Sequence, residues 1–307
     1  MDLSPAHHRA ATVAAQSLGR EFATLEPQRT WGPTVVVKVI SRDGLTAFIK
    51  AGANQNVHTE AAVIDRAQTA GVRAVDVLAT GTDEQLPGGR WMITRAAEGQ
   101  ALEDAGLTAP TITRTLADLA EQYAQLHQTS LPGRGPIAPD GSRATLDTWS
   151  QWQQQVLEEA LTKLTHRNDV TATFADRARL LAHQFAATLD QTPAALLHAD
   201  LGDRELYVDP SNGHVTAIVD WGSALVGDPL YDVARFVAGG PANDPRPGQL
   251  SPLLQHHYFA RAPHDPDHAN RLLLFYRFHI CLVEAAWEPS WAPAHTTWAD
   301  NLITELS

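Results

Sequence analysis

Strand-forming residues crowd into the first third of this chain, and the remaining two thirds read almost entirely as helix, with one exception between residues 194 and 222. Residues 34–40, Thr-Val-Val-Val-Lys-Val-Ile, are a β-branched run. Arg42-Asp43-Gly44 supplies a turn, because glycine reaches positive φ without steric cost, and residues 45–50 form a second strand. Two further strands are expected at 75–78 and 90–94, around a loop at 81–89. Residues 6–18 read as a short helix, and 57–70 place Val57, Ala61, Ile64 and Ala67 on one helical face. Beyond Glu98-Gly99-Gln100 the helical period takes over. Residues 110–128 turn Ile112, Leu116, Leu119, Tyr123 and Leu126 inward. Residues 131–142 read as a Pro- and Gly-rich loop, and 145–165 and 172–189 as helices. The remainder is helical with Pro-rich breaks at 241–252 and 289–293. The exception is three short strand-like runs, 194–197, 205–209 and 215–219, the last two joined by the turn Pro210-Ser211-Asn212-Gly213. The expected fold is therefore α+β and bilobal. A strand-rich lobe covers residues 1–95, and a mostly helical lobe covers 96–307 with a small catalytic hairpin at 194–222. Clefts between two such lobes are a usual place for a ligand.

Composition narrows the class. Hydrophobic residues make up 44% and charged residues 19%, which allows a sizeable core. No run of eighteen apolar residues occurs, and Met1-Asp2-Leu3-Ser4-Pro5 lacks the basic and apolar pattern of a secretory signal. The single Cys281 can form neither an internal disulfide nor a Cys-based zinc site. A cytoplasmic protein with no membrane partner is expected. The formal charge of −12 argues against nucleic acid as a partner. It suits a cationic small molecule, or serves solubility alone.

The chemistry concentrates in residues 196–236. Asp200 follows the apolar strand ending in Leu197-His198 and opens a loop; Asp220 closes another apolar strand after a hairpin. A hairpin can bring both carboxylates to one end of a sheet. Phosphoryl transfer needs that pairing: one carboxylate orients a hydroxyl and accepts its proton, the other holds Mg²⁺ against phosphates. Magnesium takes few carboxylates beside phosphate oxygens and waters, so a sparse site suffices.

Three motifs in order, His198-Ala199-Asp200, Val219-Asp220-Trp221 and Gly227-Asp228-Pro229 with Asp232, resemble the aminoglycoside phosphotransferase family. Its members are antibiotic and small-molecule kinases with a protein-kinase-like fold. The resemblance implies that Asp200 is the catalytic base, that Asp220 binds Mg²⁺, and that His198 braces the loop. A bracing His198 is also simply a satisfied core histidine. Asp228 and Asp232 are expected to be structural, at a turn and a helix N-terminus. A kinase-like first lobe needs a strand lysine on the phosphates and a helix glutamate to orient it. Lys50 and Glu60 fit, with Lys38 as the competitor. The connector Thr94-Arg95-Ala96 would offer its backbone to the purine.

Two positions depart from the family's pattern. The connection from Glu26 to Pro33 contains one glycine, so either Arg29 and Thr30 reach phosphate through side chains or the loop is open. The Asn expected five residues after Asp200 is Glu205, which offers an oxygen to a second metal at the cost of extra charge.

On the substrate side, Trp149, Trp152, Trp287, Trp291 and Trp298, with Glu284, Glu288 and Asp300, could line a pocket or simply pack a core. His256-His257 and the run from His264 to His268 read as surface polar residues rather than a metal site. The expected function is an ATP- or GTP-dependent O-phosphotransferase using Mg²⁺ and acting on a hydroxylated small molecule, an antibiotic before any other class, as a monomer or homodimer. The alternatives are a nucleotide-binding pseudokinase and a metal-dependent hydrolase using His198, Asp200 and Asp220.

Overall fold

The computed structural model describes residues 3–30, 33–52, 57–236, 246 and 248–307. Helix α1 (Pro5–Leu18) starts where Ser4 caps it, its hydroxyl accepting the His7 N–H, and stops at Gly19 in the left-handed region. Strands β1 (Phe22–Pro27), β2 (Thr34–Ser41) and β3 (Thr46–Gly52) come next. The β2–β3 hairpin is as the sequence predicts. Gly44, at φ +91°, donates its N–H to the Ser41 carbonyl at 3.1 Å. Side chains alternate strictly along both strands. Val35, Val37, Val39, Ala47, Ile49 and Ala51 turn to one face and pack with Ala10, Val13 and Ala14 of α1. Lys38, Phe48 and Lys50 sit at the alternate positions, on the other face.

Helix α2 (Val57–Thr69), β4 (Val77–Thr82) and β5 (Arg90–Arg95) complete an antiparallel sheet of order β1-β2-β3-β5-β4. Strand β4 starts later than expected and takes Gly81 and Thr82 from the predicted loop. Trp91 lies so close over Gly81 that a Cβ there would sit 2.3 Å from its ring, so the glycine admits the pairing.

The second lobe contains β6 (Gln100–Ala101), α3 (Ala109–Leu126), β7 (Arg134–Ile137), β8 (Ala144–Leu146), α4 (Trp149–His166) and α5 (Ala172–Asp190). Then come β9 (Ala195–Leu197), β10 (Leu206–Val208), β11 (Val215–Ile218), β12 (Leu225–Gly227) and α6 (Pro229–Arg235). Helices α7 (Leu250–Phe259), α8 (Pro266–Trp287) and α9 (Ala292–Leu306) end the chain. Two small sheets, β11-β10-β6 and β8-β7-β12-β9, are set among the helices. The predicted loop at 131–142 contains β7, which pairs with β8 just beyond that loop and with β12 some ninety residues further on. Helix α4 begins later than expected because Thr148 and Gln151 form a capping box ahead of Trp149. Most of the predicted break at 241–252 lies outside the described residues. Its end is instead the first turn of α7, where Pro252 needs no intrahelical donor. The break at 289–293 is a 3₁₀ turn leading into α9.

The main core gathers Val57, Val63, Ile64 and Ala67 of α2 together with the helices of the second lobe, and the lobes also meet where Ile218 donates its N–H to the Arg73 carbonyl at 2.7 Å. Among the described residues no helix is long and apolar enough to cross a membrane.

Candidate active site

The loop after β9 is fixed mainly by one carboxylate. Asp232, in the first turn of α6, accepts the His198 N–H at 2.9 Å and the Ala199 N–H at 2.7 Å, and His127 Nε2 stands 3.1 Å from it. His198 is fully buried. Its Nε2 faces the Val219 carbonyl at 2.9 Å, so that nitrogen donates, and Nδ1 accepts the Asp200 N–H at 3.3 Å. The imidazole thus ties the loop carrying Asp200 to the strand end carrying Asp220. Ala199 and Asp220 both lie in the left-handed region, at φ +66° and +61°. Such strain in non-glycine residues concentrates at functional sites. Asp228 caps α6 by accepting the Leu230 N–H at 3.0 Å and also accepts the Tyr276 hydroxyl at 2.6 Å. Gly227 is pressed against Trp149, where a Cβ would sit 2.5 Å from the ring.

Lys50 reaches across the cleft between the lobes. Its Nζ donates to Asp220 Oδ1 at 2.9 Å and to Glu60 Oε1 at 3.3 Å. Glu60 Oε2 is nearer, at 3.0 Å, but off the donor direction and without a hydrogen bond. Burial works against the Lys50 charge, yet Glu60 and Asp220 outweigh it and hold the ammonium above its ordinary range. Burial also acts on Asp220, but Lys50 prevails and keeps its carboxyl below the usual range. Glu60 goes the other way: burial raises it despite Lys50. The Asp220 side chain keeps 55% exposure toward the cleft.

Glu205 accepts the Gly202 N–H at 3.0 Å, closing the loop that begins at Asp200. Burial, then the Asp200 charge, pushes it up to about 7. Among the described residues no three His, Cys, Asp or Glu side chains cluster tightly enough to hold a metal alone. An ion held by two carboxylates would need phosphate oxygens and waters to complete its coordination. An all-oxygen set of Asp220 and Glu205, crowded with like charge from Asp200, is chemically fitted to Mg²⁺.

A cavity of about 650 Å³ opens between the sheet and the connector, lined by Lys38, Phe48, Ala96, Ala97, Glu98 and Tyr207 among others. Lys38 pairs there with Glu26 at 3.1 Å. The two candidate lysines are therefore sorted by location: Lys50 meets the acids, Lys38 the cavity. Ala96 lines the cavity but gives its N–H to the Thr46 carbonyl at 3.0 Å. Thr94 is paired within the sheet, opposite Phe48 and Val77. In the connection before β2, Thr30 donates its hydroxyl to the Thr34 carbonyl at 2.7 Å, while Trp31 and Gly32 lie outside the described residues.

The tryptophans divide. Trp149 and Trp152 stack in the core at 4.6 Å, and Trp298 packs half-buried against it. Trp287 is 63% exposed, and Trp291 stacks on His295. Asp265 caps α8 by accepting the His268 N–H at 2.9 Å, and His256 and His257 meet edge to face on α7.

Sequence reasoning missed Arg235. Its Nη2 donates to Asp200 Oδ1 at 2.6 Å, and its Nη1 stands 2.9 Å from Glu284 Oε1. The available signal was an arginine closing the otherwise apolar run Val233-Ala234-Arg235-Phe236.

Residues 27–268 match the model of the phosphotransferase enzyme family. Over 150 residues the chain is 26% identical to the hygromycin-B 4-O-kinase of Escherichia coli, covering 48% of this chain and 42% of that protein. Over 168 residues it is 29% identical to the viomycin phosphotransferase of Streptomyces vinaceus, covering 52% of each. The chain thus spans about half the length of these curated relatives, or less. In structure it is similar to a thermostable mutant of an aminoglycoside phosphotransferase in ternary complex with AMP-PNP and hygromycin B. The TM-score is 0.73 at 19% identity, over 96% of this chain and 97% of that one. A putative fructosamine-3-kinase from Thermobifida fusca gives a TM-score of 0.68 at 16% identity, over 96% and 97%. These likenesses establish the bilobal kinase-like fold, and with the family model spanning most of its length, the chain belongs to the phosphotransferase enzyme family, with the aminoglycoside phosphotransferases.

Proposed function

We propose that this protein transfers the γ-phosphoryl group of ATP or GTP to a hydroxyl of an antibiotic. The observation that carries the reading is the bonded set Lys50, Glu60 and Asp220 spanning the cleft beside Asp200. Among the described residues, Asp200 Oδ1 is taken by Arg235, while Oδ2 has only Ser223 Oγ near it, at 3.5 Å. That open oxygen orients the acceptor hydroxyl and receives its proton. Lys50, held by Glu60, holds donor phosphates once they enter. Asp220 and Glu205 would hold Mg²⁺, which when bound neutralises charge on the phosphates. The base would occupy the cavity beside Ala96. The net charge of −12 favours a cationic acceptor, as does kinship to kinases of hygromycin B and viomycin. The reading includes a cytoplasmic location, where ATP and GTP are supplied.

The test is ATP and GTP consumption with Mg²⁺ over a panel including hygromycin B and viomycin, with mass analysis of the acceptor. Turnover with phosphorylated acceptor is expected. Asp200→Asn should lower kcat by about 10²- to 10⁴-fold. Tight nucleotide binding without turnover on any acceptor would instead favour a non-catalytic nucleotide-binding role, the reading that Glu205 motivates.

A further inference from the structure

We propose that Arg235 is a positioning residue for Asp200, and that Glu284 and His295 hold Arg235 in turn, so that the two C-terminal helices set the aim of the catalytic carboxylate. The proposal rests on the reading of Asp200 given above. Arg235 is the last residue of α6, and its guanidinium uses a different nitrogen for each carboxylate: Nη2 for Asp200 Oδ1 at 2.6 Å, Nη1 for Glu284 Oε1 at 2.9 Å. Glu284, on α8, turns its second oxygen to His295 Nε2 of α9 at 3.1 Å, and His295 Nδ1 faces the Trp291 carbonyl at 3.0 Å. His295 is buried and Arg235 largely so. The chain of contacts therefore runs without a break from the cleft to the start of α9.

A planar guanidinium bridging two acids fixes both in direction, which a point charge cannot do. Burial opposes the Arg235 charge, but Glu284 and then Asp200 hold it well above its ordinary range. Glu284 is likewise kept below the usual carboxylate range, burial notwithstanding, by Arg235 and His295. The pairing matters because Asp200 stands in a crowd of like charge: both Asp200 and Asp220 act on Glu205. With Oδ1 engaged, Asp200 keeps one defined oxygen for a hydroxyl. Asp232 and Arg235 lie three residues apart, one turn of α6, so the same short helix fixes the backbone of the catalytic loop and the side chain at its tip.

An ordinary ion pair joining α6 to α8 makes different predictions, so kinetics and a double-mutant cycle separate the two. Donor turnover is measured with hygromycin B or viomycin, or with water where neither is accepted. Arg235→Gln should lower kcat about 10- to 100-fold, with the nucleotide KM held within about twofold. Arg235→Lys, which keeps the charge and serves as the control should the glutamine variant not fold, should recover only part of the rate. Glu284→Gln should move kcat in the same direction by less. Asp200→Asn combined with Arg235→Gln should be no slower than Asp200→Asn alone, because the arginine acts through the aspartate. An Arg235→Gln or Arg235→Lys enzyme at full kcat, or losses that multiply in the double variant, overturns the positioning role while leaving the phosphotransferase reading intact. A fully active Asp200→Asn, or a wild type consuming neither nucleotide, sinks that reading and this one with it.

Discussion

Ala199 and Asp220 hold the two left-handed positions of the site, and neither conformation is visible in the residue types. A Cβ in that region costs roughly 1–2 kcal/mol. Glycine at the position of Ala199 would adopt that conformation without strain. Ala199→Gly should therefore stabilise the fold by about 0.5–1 kcal/mol, after allowing for glycine's greater unfolded entropy and the lost methyl packing. Thermal melts of the two proteins decide it, and a lowered midpoint would mean that the buried methyl outweighs the backbone. Glu205 gives a second expectation. Its carboxyl is pushed up to about 7 from 4.5, so between those values the folded state binds more protons than the unfolded one. Stability is lost as pH rises through that window, and the penalty is complete above it. Glu205→Gln cannot ionise. Without metal it should match the wild type near pH 4 and exceed it at pH 8 by about 1–2 kcal/mol, discounted for partial solvation. Melting curves that stay parallel across that range would count against the assignment. The motif aspartates and Lys50 were legible because their neighbours form short fixed strings. Arg235 was not, because its partners Glu284 and His295 are distant in sequence and only folding brings them near.

At the scale of elements, α6 organises the site. Gly227 lets β12 approach Trp149, Asp228 starts the helix, and Asp232 receives two backbone N–H groups of the loop carrying Asp200. Asp232 is fully buried, so each of those bonds replaces water that cannot enter. Asp232→Asn would turn an amide N–H₂ toward one of those donors or toward His127. It should cost about 1–3 kcal/mol of stability and reduce kcat without raising the nucleotide KM. Chemical denaturation and steady-state kinetics on the same preparation would show it; unchanged kcat would mean that the loop does not depend on this carboxylate. Long helices such as α3 and α5 announce themselves by their period. The three- and four-residue strands β7, β8 and β12 do not, since Gly-, Pro- and Ala-containing runs of that length acquire strand character only from a partner. β7 has β8 close by on one side, but its other partner is β12, far along the chain.

At the scale of the molecule, the change of composition near residue 95 marks where strands give way to helices, but the packing crosses it. One face of the first sheet closes with α1 into its own cluster. The inner face of α2 instead belongs to the main core, with Val57, Val63 and Ile64 buried beside residues of the second lobe. The Arg73–Ile218 main-chain bond and the Lys50–Asp220 contact add polar ties. Burying an aliphatic side chain contributes about 1.5–3 kcal/mol, so exposing those three by separating the lobes would cost roughly 5 kcal/mol or more. That is comparable with the whole stability of an ordinary domain, about 5–15 kcal/mol. The first lobe therefore has no independent stable state to populate, and calorimetry should show one cooperative transition rather than two. Val63→Ala sharpens the test, because it leaves the α1 cluster alone. It should lower the single midpoint without splitting it, whereas an early partial transition in that variant would show that the sheet and α1 persist as a separate unit. One cooperative unit also means that a nucleotide bound in the cleft should raise the same midpoint as a whole, since the groups that would grip it, Lys50 and Asp220, meet across the cleft from lobes that melt together.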